Sequence, residues 1–115
     1  MIPGDEDFCY LTTTGRVTGR PHRIEIWYAA APERDTIYLL AGGREHSDWV
    51  RNLMQAPACT VEIAGTTYAG AARILSGTDE GTRARDLVHD KYARSDELAA
   101  WRAESLPVAI DLNAE

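Results

Sequence analysis

Apolar positions recur along the chain in short runs, each closed by polar or glycine-bearing turns. Leu11-Thr12-Thr13-Thr14 is β-branched and Ile24-Glu25-Ile26-Trp27-Tyr28 alternates, so Phe8 to Thr14 and His22 to Ala30 read as strands. Ala31 to Asp35 is a polar turn, and Thr36 to Ala41 is a nearly continuous apolar third strand. Gly42-Gly43 breaks it. Ser47 is a suitable N-cap, Asp48 lies in the first turn, and Val50, Leu53 and Met54 recur at helical spacing, predicting a helix from Ser47 to Ala56. Ala58 to Ile63 and Thr67 to Leu75 read as strands across the tight connection Ala64-Gly65-Thr66. Thr78, followed by Asp79 and Glu80, opens a longer helix with Ala84, Leu87, Val88 and Tyr92 on one face. Ser95-Asp96-Glu97 caps a short helix through Trp101, a residue that packing explains best, and Leu106 to Leu112 is the last strand. Pro107 near its start suits a strand beginning or edge. Short turns favour antiparallel pairing. The expectation is a mainly β chain with helices: a single domain over residues 1–115, built as a small antiparallel barrel of about six strands. Alternation places Trp27 on the face opposite Ile24, Ile26 and Tyr28, and leaves open which face is interior.

Composition narrows the class. A chain of 115 residues buries roughly two-thirds of its unfolded surface, enough for one core without metal or disulfide support. The net charge of −6 argues against bulk attraction to nucleic acid or acidic membranes. Cys9 and Cys59 are isolated and form no CxxC; each falls in a strand as a small core residue, which suits a reducing cytoplasmic setting. MIPGDEDF lacks the apolar region of a signal peptide, and no run approaches membrane-spanning length, so a cytoplasmic protein without a stable membrane anchor is expected.

Against this acidic background, cations crowd one turn. Arg16, Arg20, His22 and Arg23 lie between Gly15 and Arg23, where Gly15 and Gly19 relax the backbone and Pro21 extends Arg20. A hairpin needs a turn and does not need three arginines; their concentration suggests that the loop meets an anion. Solvated surface arginines are the alternative. His22, His46 and His89 lack metal-ligand spacing, and neither GxSxG nor a dinucleotide fingerprint is present. No metal site is expected.

LTTTGRVTGRPHR, then a strand, the Ala41-Gly42-Gly43 break and Trp49-x-x-Asn52-Leu53 through Pro57 to Ile63, together resemble the deazaflavin-dependent nitroreductase family. The resemblance runs from about Tyr10 to Ile74. It implies a split β-barrel, related to flavin mononucleotide (FMN)-binding proteins, that carries coenzyme F420. By it, Arg16, Thr18, Gly19, Arg20, His22 and Arg23 hold the phosphate and glutamyl tail. Ala41, Gly42 and Gly43 bring backbone to the deazaflavin ring, flanked by Trp49 and Asn52, while Trp27, Tyr28 and Tyr92 line a substrate pocket. Guanidinium groups suit a polyanionic tail, and glycine suits a flat ring resting on backbone. The chain departs from the family at Val17 (often lysine), at Glu25 (commonly proline), at Ser47-Asp48 (proline before the tryptophan) and in a shorter Ala41 to Trp49 loop.

The implied activity is F420H2-dependent hydride transfer to a quinone-like, nitroaromatic or other electron-poor small molecule. No side chain stands out as an acid, so the cofactor would carry the hard chemistry. The alternatives are an FMN-dependent enzyme and a non-catalytic split barrel binding F420, flavin or a haem-like ligand. Split barrels often dimerise across one face, although relatives also act as monomers, so a homodimer is one expectation.

Overall fold

The computed structural model describes residues 2–92 and 105–113. The short helix expected from Ser95 to Trp101 lies outside them. Along the chain run β1 (Cys9–Thr14), β2 (Pro21–Ile26), β3 (Ala29–Ala30), β4 (Thr36–Ala41), a single 3-10 turn (Arg44–His46), α1 (Asp48–Gln55), β5 (Ala58–Ile63), β6 (Thr66–Ile74), α2 (Asp79–Lys91) and β7 (Leu106–Asn113). All seven strands join one sheet in the order β2-β1-β5-β6-β7-β4-β3, and every neighbouring pair is antiparallel.

That order forces the sheet to curl. β2 and β3 bound its two edges, yet only Trp27 and Tyr28 connect them. Laid flat, six inter-strand gaps would span about 29 Å. Three Cα steps reach at most about 11 Å. The edges therefore come round towards each other, and the sheet rolls into the expected antiparallel split barrel.

The expected strand from His22 to Ala30 breaks at Trp27 and Tyr28. Its alternation is genuine, but its two parts pair with different neighbours: β2 with β1, and β3 with β4. The rolled interior is filled by Cys9, Leu11, Tyr28, Ile37, Leu39, Val61, Ile63, Val108 and Ile110, with Val50 and Leu53 of α1. Ile24 and Ile26 pack against this cluster, which settles the open question of facing. Trp27 points away and is 42% exposed. A second apolar layer lies outside the sheet, where Tyr38, Leu40 and Ala109 meet Ala84 and Val88 of α2. β4 is thus covered on both faces, which explains its unbroken apolar run.

Helix starts differ from one another. Thr78 caps α2, its Oγ1 accepting from the Gly81 amide at 2.9 Å. Ser47 occupies the N-cap position of α1 but makes no side-chain cap bond. Its Oγ lies against Gly43, 2.7 Å from where a Cβ there would stand.

A polar network fixes α2 to the sheet. Arg73 Nε donates to Asp111 Oδ2 at 2.6 Å, and its Nη1 donates to Glu80 Oε1 at 2.8 Å. Glu80 Oε2 also accepts from Arg34 at 2.7 Å and from the Tyr38 hydroxyl at 2.9 Å. Arginine pairing holds the carboxyls of Glu80 and Asp111 below the usual carboxylate range.

Candidate functional site

The strand directions gather one end of the barrel. β1 runs up to the Gly15 turn and β2 descends from it. Tracing the antiparallel partners β5, β6, β7 and β4 in order brings Ala41 to that same end. The exposed residues Gly42 and Gly43 and the start of α1 follow directly.

The turn is closed by its own backbone. The Gly15 amide donates to the Arg20 carbonyl at 2.8 Å, and the Gly19 amide donates to the Gly15 carbonyl at 2.9 Å. Gly19 adopts φ +73°, which favours glycine. At Gly15 a Cβ would stand 2.6 Å from His22 Nε2, so the imidazole lies over bare backbone.

Gly15, Arg16, Val17, Thr18, His22, Asp48 and Asn52 line a cleft of about 250 Å³. Asn52 organises it. The Asn52 side chain accepts at Oδ1 from the Arg16 amide (3.2 Å) and from Arg16 Nη1 (2.8 Å), and donates from Nδ2 to Thr13 Oγ1 (3.0 Å). Arg16 Nη2 additionally pairs with Asp48 Oδ1 at 3.1 Å. The guanidinium is thereby held at the cleft.

The expected site residues do not all meet in one place. Arg16, Thr18, His22 and Asn52 meet in the cleft. Arg20 is exposed, with its amide bonded to Thr18 Oγ1 at 3.3 Å. Gly19 lines a neighbouring groove with Thr12, Thr13, Thr14, Pro21 and Ala58 to Thr60. Ala41 is buried at the end of β4, and Trp49 is half-buried against the interior cluster.

Arg23 stands apart. As the residue after His22 in β2 it points to the other face of the sheet. There its guanidinium lies 4.4 Å from the Tyr10 ring centroid and pairs with Glu62 at 3.2 Å.

The aromatic group sits beyond the far end of β2, about 20 Å along the strand from the turn. Trp27 and Tyr92 stack with centroids 4.3 Å apart and planes 9° from parallel. Tyr28, expected at a pocket, is instead fully buried: its hydroxyl donates to the Pro3 carbonyl, and Lys91 Nζ lies 3.7 Å from its ring centroid. The Tyr92 hydroxyl accepts from the Tyr28 amide and donates to the Asp7 carbonyl. Burial raises the pKa of Tyr92 and lowers that of Lys91. Burial likewise pushes the Cys9 thiol up to about 12, so it carries no nucleophilic role.

Asp48 is the cleft residue that sequence reasoning missed. In the sequence it is a first-turn acid complementing the helix dipole, and nothing there shows that a turn 32 residues earlier folds back to meet it. Among the described residues no helix is long and apolar enough to cross a membrane, and no group of three or more His, Cys, Asp or Glu could hold a metal.

Solved structures resemble the whole chain. A conserved hypothetical protein from Mycobacterium tuberculosis, Rv2991, matches with TM-score 0.74 at 22% identity, over 95% of this chain and 74% of that one. An F420-H2 dependent reductase, FDR-A, matches with TM-score 0.73 at 20% identity, over 98% of this chain and 99% of that one. HutZ, the haem storage protein from Vibrio cholerae, matches with TM-score 0.73 at 11% identity, over 95% and 83%. At such identities the likeness is one of fold, shared by reductases and a storage protein alike. No curated protein sequence matches significantly. The family model described as F420H(2)-dependent quinone reductase matches residues 2–113. The chain belongs to the F420H2-dependent quinone reductase family.

Proposed function

We propose that this F420-dependent oxidoreductase reduces a quinone-like or nitroaromatic acceptor, with the Arg16 cleft holding the anionic tail of its coenzyme. Family membership carries the oxidoreductase class and the use of F420, in preference to FMN or to a non-catalytic role. One observation carries the placement. The cleft lined by Arg16, Thr18 and His22 shares an end of the barrel with the exposed Gly42-Gly43 backbone.

The residues fit such a ligand. Arg16 presents a planar donor suited to phosphate or carboxylate oxygens, with Thr18 and His22 as further polar partners. Gly42 and Gly43 are exposed and carry no side chain, so backbone can lie close to a flat ring. Reduced F420, when bound, supplies the hydride. The protein's share is to orient donor and acceptor and to exclude water. The acceptor meets the ring at the Gly42-Gly43 end, because the Trp27 and Tyr92 stack lies about 20 Å along β2 from the turn, beyond hydride reach. Tyr92 is a weak acid, because burial raises its pKa and its proton is already donated to backbone carbonyl. Tyr92 is therefore not the proton source. A homodimer belongs to the same proposal, in keeping with a structural neighbour described as a domain-swapped dimer (21% identity, TM-score 0.73).

Titration of F420 by fluorescence tests the placement. Arg16→Ala removes a charged hydrogen-bond donor and is expected to weaken binding by about one to two powers of ten. Arg23→Ala, on the opposite face, is expected to leave affinity near that of the parent. Equal binding by Arg16→Ala and the parent would overturn the proposal.

A further inference from the structure

Arg16 enters the cleft already carrying an anion. Its Nη2 donates to Asp48 Oδ1 at 3.1 Å, and its Nη1 contacts the Asp48 carbonyl at 3.4 Å and Asn52 Oδ1 at 2.8 Å. These partners differ in how readily they move. Asn52 is 3% exposed and held by Thr13 as well as by the Arg16 amide, so releasing it would strand buried polar atoms. The Asp48 side chain is 87% exposed, and water receives its carboxylate wherever it turns. An exposed ion pair of this kind is weakly held. Asn52 thus sets where the guanidinium stands, while an exchangeable carboxylate balances its charge.

We propose that Asp48 is a specificity-determining residue: a resident counter-ion that an incoming phosphate or carboxylate must displace from Arg16. This rests on the cleft being the site of the coenzyme's anionic tail. Two effects act together. The ligand replaces an existing ion pair instead of meeting a free cation, and the displaced carboxylate still lines the same cleft, where it repels a ligand of like sign. His22 and Thr18, also in the lining, are compatible with an anion. The cleft therefore binds anions less tightly than its arginine alone would allow, and it favours a group charged strongly enough to win the exchange.

Asp48→Asn tests this, since it keeps an oxygen for Arg16 and removes the charge. Two probes separate tail from ring: F420 itself, and its deazaflavin precursor bearing neither phosphate nor glutamate. Asp48→Asn is expected to bind F420 about 1.4- to fivefold more tightly than the parent, the range of an exposed ion pair. Affinity for the precursor is expected to be unchanged. Equal or weaker binding of F420 by the variant would overturn the exchange, as would the same gain for the precursor. If neither protein binds F420, the coenzyme reading of the cleft fails, and inorganic phosphate then decides the exchange separately. Tighter phosphate binding by Asp48→Asn sustains the counter-ion role, and equal binding removes it.

Discussion

Ala64 sits at φ 51° beside Gly65 at φ 82°, the two residues that link β5 to β6 with Ile63 opposite Thr66. Two successive positive φ values define the hairpin turn that suits asparagine and glycine, and an alanine there clashes with its own backbone. Ala64→Asn is therefore expected to raise stability by about 0.5–1 kcal/mol, seen as a higher melting temperature. Asn52→Leu should act in the opposite sense. It leaves the Arg16 amide and Thr13 hydroxyl without their partner and should cost about 1–3 kcal/mol in urea titration. Reading these positions from the chain succeeds where the cause is local: the Ala64-Gly65 turn and the loop glycines are legible. It does not reach the hydrogen bonds of Asn52, whose partner Thr13 is 39 residues distant. The sequence groups Arg23 with His22 in one loop, whereas adjacent residues of a strand face opposite ways.

At the scale of elements, α2 shows the same division. Its apolar face was legible from the spacing of Ala84, Leu87 and Val88, because a helix repeats on its own period. The network beneath its first turn was not, since Arg73 and Asp111 lie on β6 and β7 and Arg34 lies on a turn. Pairing with Arg73 makes Glu80 and Asp111 titrate below their unfolded values. A depressed carboxyl stabilises the fold above the unfolded pKa, and that contribution drains away as pH falls through the folded one. Stability should thus drop on acidification below about pH 4. Glu80→Gln should make the dependence shallower there in urea unfolding measured against pH; an unchanged slope would show that the pair contributes nothing.

At the scale of the whole molecule, short turns between apolar runs announced an antiparallel barrel, and the structure has one. What they could not announce is the change of partners at Trp27, since alternation runs on unbroken through Tyr28 while the chain crosses from one sheet edge to the other. The same crossing brings Tyr92 and the amino-terminal segment together, with the Tyr92 hydroxyl between the Tyr28 amide and the Asp7 carbonyl. Tyr92→Phe is expected to lower stability by about 1 kcal/mol through the lost partner. Single-turnover oxidation of F420H2 by menadione should persist in that variant; its loss at unchanged coenzyme affinity would make the hydroxyl an essential acid. The crossing also governs where this chain tolerates a change of length. An insertion at exposed residues 32 and 33 of the β3–β4 turn keeps the bonds of Arg34 to Glu80 and of the Asp35 carbonyl to the Leu112 amide, and loop entropy rises only slowly with length. Between Ile26 and Ala29 there is no such latitude, for one added residue turns Tyr28 out of the interior and unclasps the two edges.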